Sequence, residues 1–442
     1  MFDRRLLANF DWMLVLNTLA ISLLGVAAIY SASKGYAAPT QYWLRQLYWI
    51  GLALGAGFIV LLVDMRAIGR WSYVFHGAVI VALLVVLRHG VGGSGGAVPR
   101  WFMLGGVALQ PSEFAKFSTV LAVSFYFRDN RRVGNLGLRD IFIPMAFVGI
   151  PFVLIVQQPD LGTAMLLGLM FVPLLILAGV RLKLLAVLAV LAMVSVAVLV
   201  ASFNFGTYRV DDETVKTLQN EDVPPVLVEQ ARLLKGQRFS TVASLRAKLT
   251  QRVAVAPGDR FLDLVEAAAF RPFISSVLRP YQQKRLITFI NPDADPLGAG
   301  YHVIQSRVAI GSGQFFGKGF GQSTQGSLNF LPARHTDFIF AIFAEEWGFA
   351  GALVLLALYL ALILRGLSII FQTRDRFSAF LTLGIVSIVG LQVLVNIGMA
   401  AGLLPVVGVP LPFFSYGGSS MISMTIGIAM LLNIRMRRFL WG

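Results

Sequence analysis

The stretch DFIFAIFAEEWGFAGALVLLALYLALIL, Asp337–Leu364, decides how this chain is to be read. Its apolar run is longer than the roughly 20 residues a helix needs to cross a bilayer. An aspartate opens it, and Glu345 and Glu346 sit two turns further in. A carboxylate at mid-membrane costs about 2.5–3.5 kcal/mol on insertion scales, so both glutamates must face protein or water. They are expected to be inward-facing, as structural or groove-lining groups. By the helical rise Glu345 lies about 12 Å from Asp337, too far to share a proton with it directly.

The rest of the chain follows the same pattern. Of 442 residues, 57% are hydrophobic and only 13% charged, which no ordinary soluble domain shows. Apolar windows fall at Asp11–Ala32, Leu47–Val63, Trp71–Leu87, Ser112–Phe127, Ile141–Val156, Gly162–Val180, Leu184–Phe203, Asp337–Leu364, Phe380–Leu403 and Ser419–Ile434. The expected fold is an all-α polytopic membrane protein of about ten spans. Spans 1–7 fill residues 1–203 and spans 8–10 residues 337–442, with a large extracytoplasmic loop, 204–336, between them. The window at Ser112–Phe127 is the weakest, being short and carrying Glu113 and Lys116.

Lys and Arg concentrate in one set of alternate short loops, among them Arg66, Arg70, Arg131, Arg132, Arg365 and Arg435. By the positive-inside rule that side is cytoplasmic, and so are both termini. The same rule accounts for much of the net charge of +15, so no nucleic-acid partner is expected. There is no cysteine, which excludes disulfides, thiolate nucleophiles and Cys-based zinc sites. The amino terminus reads as a retained first span, because a cleavable signal has a shorter apolar region and a small-residue cleavage site.

Polar groups cluster toward the outer face. Glu113 and Lys116 are three apart, share a helix face and can pair, either lining a cavity or forming a structural ion pair. Asp160, in QQPDLGTA, is placed to cap the next helix or to serve in chemistry. The segment Asn291–Gln322 is glycine-rich and carries Lys318, yet it has neither a P-loop nor a dinucleotide fingerprint. Its glycines would let amides approach an anion; a plain outer loop is the alternative. His302 and His335 lack ligand spacing for a metal. Asp337 or Thr336 could simply cap the helix that follows. Near lipid, however, a carboxylate loses hydration, its pKa rises, and it becomes a better general base. In the outer loop, VLVEQARLLK, STVASLRAKLTQRV and DRFLDLVEAAAF have helical periodicity, lying on the bilayer surface or packing on one another.

Taken together, QPSEFAKF (Gln110–Phe117), QQPDLGTA (Gln157–Ala164), NPDADPLGAGYHVIQSRVAIGSG (Asn291–Gly313), LPARHTDFIFAIFAEEWG (Leu331–Gly348) and LLPVVGVPLPFFSYGGSSM (Leu403–Met421) resemble the SEDS family of cell-wall proteins. The run GLLPVVGVPLPFFSYGGSS resembles the elongation branch of that family more than the division branch. The resemblance implies a ten-span peptidoglycan glycosyltransferase of the bacterial inner membrane. It would polymerise lipid II, a disaccharide-pentapeptide on undecaprenyl pyrophosphate. Its partners would be a class B penicillin-binding protein, a transpeptidase, and other proteins of the elongation machinery. The family's essential aspartate falls on Asp337, its QPSE glutamate on Glu113, the nearby lysine on Lys116, and an outer-loop arginine on Arg285. Lys116, Arg285 and Lys318 are the candidates to stabilise a diphosphate leaving group, and Asp160 is a further substrate-binding candidate. A divalent cation, Mg2+ or Mn2+, could share that role, although the sequence has no clear carboxylate cluster for one. One departure is the length of the outer segment, with an excess at about Thr207–Val277. A lipid II flippase using Glu345 and Glu346, or a non-catalytic scaffold for the transpeptidase, are the other readings.

Overall fold

The computed structural model describes residues 9–34, 40–91, 100–104, 107–129, 136–201, 206–210, 212–220, 225–239, 245, 248, 270–272, 285, 289, 299–327, 331 and 333–437. They form α1 (Trp12–Ser33), α2 (Thr40–Leu62), α3 (Met65–His89), β1 (Phe102–Leu104), β2 (Val107–Leu109), α4 (Pro111–Asp129), α5 (Leu138–Gln157), α6 (Leu161–Ala178) and α7 (Leu182–Ala201). Then come β3 (Gly206–Arg209), α8 (Asp212–Asn220), α9 (Pro225–Leu233), β4 (Arg238–Phe239), β5 (Phe270–Pro272), α10 (Ala299–Ser312), the turn α11 (Thr324–Ser327), α12 (Ile339–Gln372), α13 (Arg376–Ala400) and α14 (Gly418–Met436). Eight of these, α1–α3, α5, α6 and α12–α14, are long and apolar enough to cross a membrane. The protein is a polytopic helical membrane protein. The chain divides into two compact units, Met1–Leu184 with Arg285–Gly442, and Leu185–Lys284.

The weakest sequence window, now α4, is the most enclosed helix of the first unit. It packs against α3, α5, α6, α13 and α14. Ser112, Glu113, Lys116, Ser118, Thr119 and Ser124 are all buried along it. A helix that meets protein on every side has no need of lipid-compatible residues, so its low hydropathy reflects position. Small antiparallel pairings depart from the all-α expectation. β1 and β2 form a hairpin directly before α4, and in the second unit β3 pairs with β4 and β5.

The second unit packs on itself. Thr214, Val215 and Leu218 of α8 and Val228 and Ala231 of α9 are buried, and Lys235 meets Asp212 at 2.6 Å. VLVEQARLLK is helical through α9, as its periodicity predicts. The other two amphipathic pieces lie almost wholly outside the described residues.

The helix that opened the sequence reading is broken. At Gly348 the backbone turns to φ 65°, ψ −166°, far from helical values. Inside a bilayer such a break would strand carbonyl and amide groups. Here the loop after α10 satisfies them. Lys318 N donates to Glu345 O (3.0 Å) and Gly319 N to Glu346 O (3.0 Å). In return Phe349 N donates to Gln314 O (2.8 Å) and Ala350 N to Phe315 O (2.9 Å). Two amides of the glycine-rich loop, those of Lys318 and Gly319, are therefore used by the helix break.

At the opposite end of the bundle, Asp11 caps α1 by accepting from Leu14 N (3.2 Å). Its other oxygen accepts from Arg365 Nε (2.9 Å) on α12 and from Arg435 on α14. Asn433 of α14 donates to the carbonyls of Val60 (2.7 Å) and Val63 (2.8 Å) at the end of α2.

Gly348 tests the helix break. A Cβ there would stand 2.3 Å from Gly317 N and 2.5 Å from Phe315 O, in a left-handed conformation. Gly348→Ala is expected to cost about 3 kcal/mol or more, read as a lowered melting temperature in detergent. Gly77→Ala, in α3 with open space around it, should shift stability by less than about 1 kcal/mol.

Candidate functional site

Four helices begin around one cavity of about 280 Å³. Gln110 and Glu113 come from the start of α4, Asp160 and Thr163 from α6, Thr336 and Asp337 from the turn before α12, and Gly417, Ser419 and Ser420 from the start of α14. Arg100, Trp101 and Arg285 complete the polar wall, with Gly408, Pro410 and Tyr416 from the strap between α13 and α14. Helix N-termini carry partial positive charge and unpaired N–H groups, so their convergence with two guanidiniums favours an anion.

Asp337 lies on a tight turn, with its N–H donating to Ala333 O at 3.1 Å. It does not cap α12. The cap position is Phe338, and no side chain bonds there. The carboxylate is half-buried, surrounded by protein except where it meets the cavity. Burial pushes its pKa above the ordinary aspartate value; Arg285, a hydrogen bond from Thr336 and Arg100 pull it down, and Asp160 pushes it up. Beside it, His335 is held to about 4 by burial and by Arg334, so it is neutral at physiological pH. Its ring lies 4.7 Å from Tyr42 and 5.6 Å from Tyr416 between centroids.

The turn is stitched to the strap. Ser415 Oγ donates to Thr336 O (2.7 Å), and Tyr416 N donates to His335 O (3.0 Å). Asn396 Nδ2, from α13, donates to Asp337 O (3.1 Å) and Val409 O (2.7 Å). Gly408 adopts φ 72° against the carboxylate, and a Cβ there would lie 3.5 Å from Asp337 Oδ2.

Asp160 is both cap and cavity wall. It accepts from Thr163 N (3.2 Å), Thr163 Oγ1 (2.9 Å), Gln110 Nε2 (3.2 Å) and Ser112 Oγ (3.3 Å). Glu113 meets Lys116 Nζ at 3.0 Å and accepts from Ser423 (3.4 Å). Glu113 reaches the cavity, whereas Lys116 is fully buried behind it. Lys318 lies elsewhere, 2.6 Å from Glu345. Thr324 adds its amide (3.0 Å) and hydroxyl (2.6 Å) to the same carboxylate, and Ser323 donates to its other oxygen. Glu346 accepts from Ser31. Both glutamates are thus buried among protein groups at the helix break, as expected of inward-facing residues.

Sequence reasoning missed Arg100 and Asn396. Arg100 read as one more loop charge, yet its guanidinium is clamped by the carbonyls of Gln158 (2.8 Å) and Pro159 (2.7 Å) at the cavity rim. Asn396 stood as a lone carboxamide in the apolar run LQVLVNIGMA, which is itself a signal. Among the described residues no three His, Asp or Glu gather as metal ligands. Among the described residues, Asp160 and Glu113 already meet protein donors.

Lys116→Met leaves the buried Glu113 carboxylate unpaired and is expected to cost about 3–5 kcal/mol of stability. The double variant Glu113→Gln/Lys116→Met should recover most of that loss in thermal unfolding, which separates the pair's structural role from any contact with substrate.

The chain is similar to several known proteins. The family model described as "Cell cycle protein", FtsW/RodA/SpoVE, matches residues 11–222 and 233–439; the break in the match falls in the outer segment. "Peptidoglycan glycosyltransferase RodA" of Treponema pallidum (strain Nichols) is 32% identical over 453 residues, covering 98% of both chains. "Peptidoglycan glycosyltransferase MrdB" of Escherichia coli (strain K12) is 32% identical over 431 residues, covering 97% of this chain and 94% of the relative. Among solved structures, one described as "Structural coordination of polymerization and crosslinking by a peptidoglycan synthase complex" contains a chain that is 27% identical. It superposes with a TM-score of 0.67, covering 97% of this chain and 98% of that one. The Thermus thermophilus rod shape determining protein RodA, 24% identical with a TM-score of 0.56 over 97% of this chain and 98% of that one, shares the fold.

Proposed function

Since the chain belongs to the FtsW/RodA/SpoVE family, the SEDS proteins of the bacterial cell wall, we propose that it is a peptidoglycan glycosyltransferase that polymerises lipid II into glycan strands during cell elongation. The observation that carries the reading is a single polar cavity holding one carboxylate of raised pKa beside two arginines. The chain sits in the inner membrane with both termini cytoplasmic, by the distribution of Lys and Arg. The ten-span count takes α4 and α7 as spans besides the eight apolar helices.

Asp337 acts as general base. It takes the proton from the 4-hydroxyl of the acceptor's N-acetylglucosamine, and that oxygen attacks the anomeric carbon of the donor. The bond from that carbon to undecaprenyl pyrophosphate breaks, and the diphosphate leaves with the bonding pair. One displacement inverts the α-linked donor to a β-linked product, without a covalent enzyme intermediate. Charge develops on the diphosphate, and Arg100, Arg285 and the helix N-termini around the cavity are placed to stabilise it. Arg100 is already held by two carbonyls, so it is set in place before the reaction. Lys116 contributes through Glu113, which it pairs. The crosslinking partner is a class B penicillin-binding protein, in keeping with the related chain in a peptidoglycan synthase complex.

Asp337→Asn is expected to abolish polymerisation of labelled lipid II by purified protein, while folding and partner binding persist. Normal polymer from the folded variant would refute the general base. The base must be ionised, and burial raises its pKa, so kcat should be lost as pH falls through a value above the ordinary aspartate range. The groups that face Asp337 and set that limb are Arg285, Arg100 and Asp160. Deleting residues 207–277 should spare basal glycosyl transfer, because the described lining of the cavity lies outside that segment. A stable deletion protein without transferase activity would count against this.

A further inference from the structure

The strap between α13 and α14 carries Gly408 against the Asp337 carboxylate, and its path is set by few side chains. Gln46 of α2 holds its far end, donating to Ser415 O (3.3 Å) and accepting from Gly417 N (3.2 Å). Ser415 folds the strap's corner by accepting from Leu411 N (2.8 Å) while donating to Thr336 O. Among the described side chains, it is Asn396 that bonds the main-chain carbonyl of Asp337 itself. Its side chain is completely buried near the end of α13, and one amide group bridges Asp337 O and Val409 O. Val409 follows Gly408, so the two carbonyls joined by Asn396 bracket the carboxylate from its own backbone and from the strap. Both of the amide's N–H donors are used, and its geometry fixes the separation of these two backbones.

We propose that Asn396 is a positioning residue for glycosyl transfer: it sets the placement of Asp337 against the strap and touches no substrate. The inference rests on the reading of Asp337 as the base. A carboxylate moved by about 1 Å loses much of its effect on a proton in flight, while substrate binding by the rest of the cavity is little changed. A residue with a merely structural role would lower the amount of folded protein and leave the turnover of what remains intact.

The test is steady-state polymerisation of lipid II by purified, folded full-length variants. Asn396→Leu keeps the volume and removes both donors. It is expected to lower kcat by about 10²-fold with KM for lipid II within about threefold. Asn396→Asp, isosteric and without the amide donors, gives the same reading should the leucine variant fail to accumulate. Gln392→Leu is the control, one turn earlier on the same helix and equally buried, and its turnover should be that of wild type. The coupling is read with Asp337→Glu, which also displaces the carboxylate. In the Asn396→Leu background this change should cost less than it does alone, because the carboxylate is already out of place. Strictly multiplicative losses, an unchanged kcat in a folded Asn396 variant, or a raised KM with unchanged kcat would each overturn the proposal. If Asp337→Asn polymerises normally, the base assignment itself fails; if it is inactive while Asn396→Leu turns over normally, only the positioning role fails.

Discussion

Backbone N–H and C=O groups have no water to turn to inside a bilayer, and the break in α12 at Gly348 must meet that constraint from within the protein. The loop after α10 does so with four main-chain hydrogen bonds. Much else follows from this docking. It fixes Lys318, Ser323 and Thr324 around Glu345. It also sets the short half of α12, Ile339–Trp347, as a separately anchored piece whose other end bears the turn of Asp337. The carboxylate therefore stands on a stub held at both ends, by the loop below and by the strap and Asn396 above.

Among the described residues, several interior charges sit in closed groups. Glu345 has a lysine, three hydroxyls and two amides; Glu113 has Lys116 and Ser423; Asp11 has two arginines and a helix start. A buried ion survives only with such company. Asp337 differs. Its backbone is tied on both sides, while its carboxylate opens on a cavity shared with Arg100 and Arg285. Glu113 and Asp160 reach the same cavity with their oxygens engaged by protein donors, and that contrast supports the proposed role of Asp337.

The fold class was legible because apolar runs of span length have few other uses, and the outer motifs were legible as sequence. What sequence could not give was set by surroundings. α4 looked weak because hydropathy assumes lipid, and it is walled by five helices. The break at Gly348 is hidden in an apolar run, since a glycine's φ depends on the loop that meets it. Lys116, Arg285 and Lys318 were all candidate cations in the sequence; packing sets Lys318 against Glu345 and Arg285 on the cavity wall. Arg100 looked ordinary until two carbonyls at the end of α5 were seen to hold it.

The clasp of Asp11 has a temporal side. Its carboxylate waits for Arg365 and Arg435, and the carbonyls at the end of α2 wait for Asn433. Those partners lie on α12 and α14, which the ribosome makes long after α1 and α2. The first two helices can enter the bilayer early, but their clasp is complete only when α14 arrives. Insertion and assembly are thereby separate events: a nascent chain that stalls before α14 holds Asp11 by Arg365 alone and leaves the carbonyls of Val60 and Val63 without Asn433.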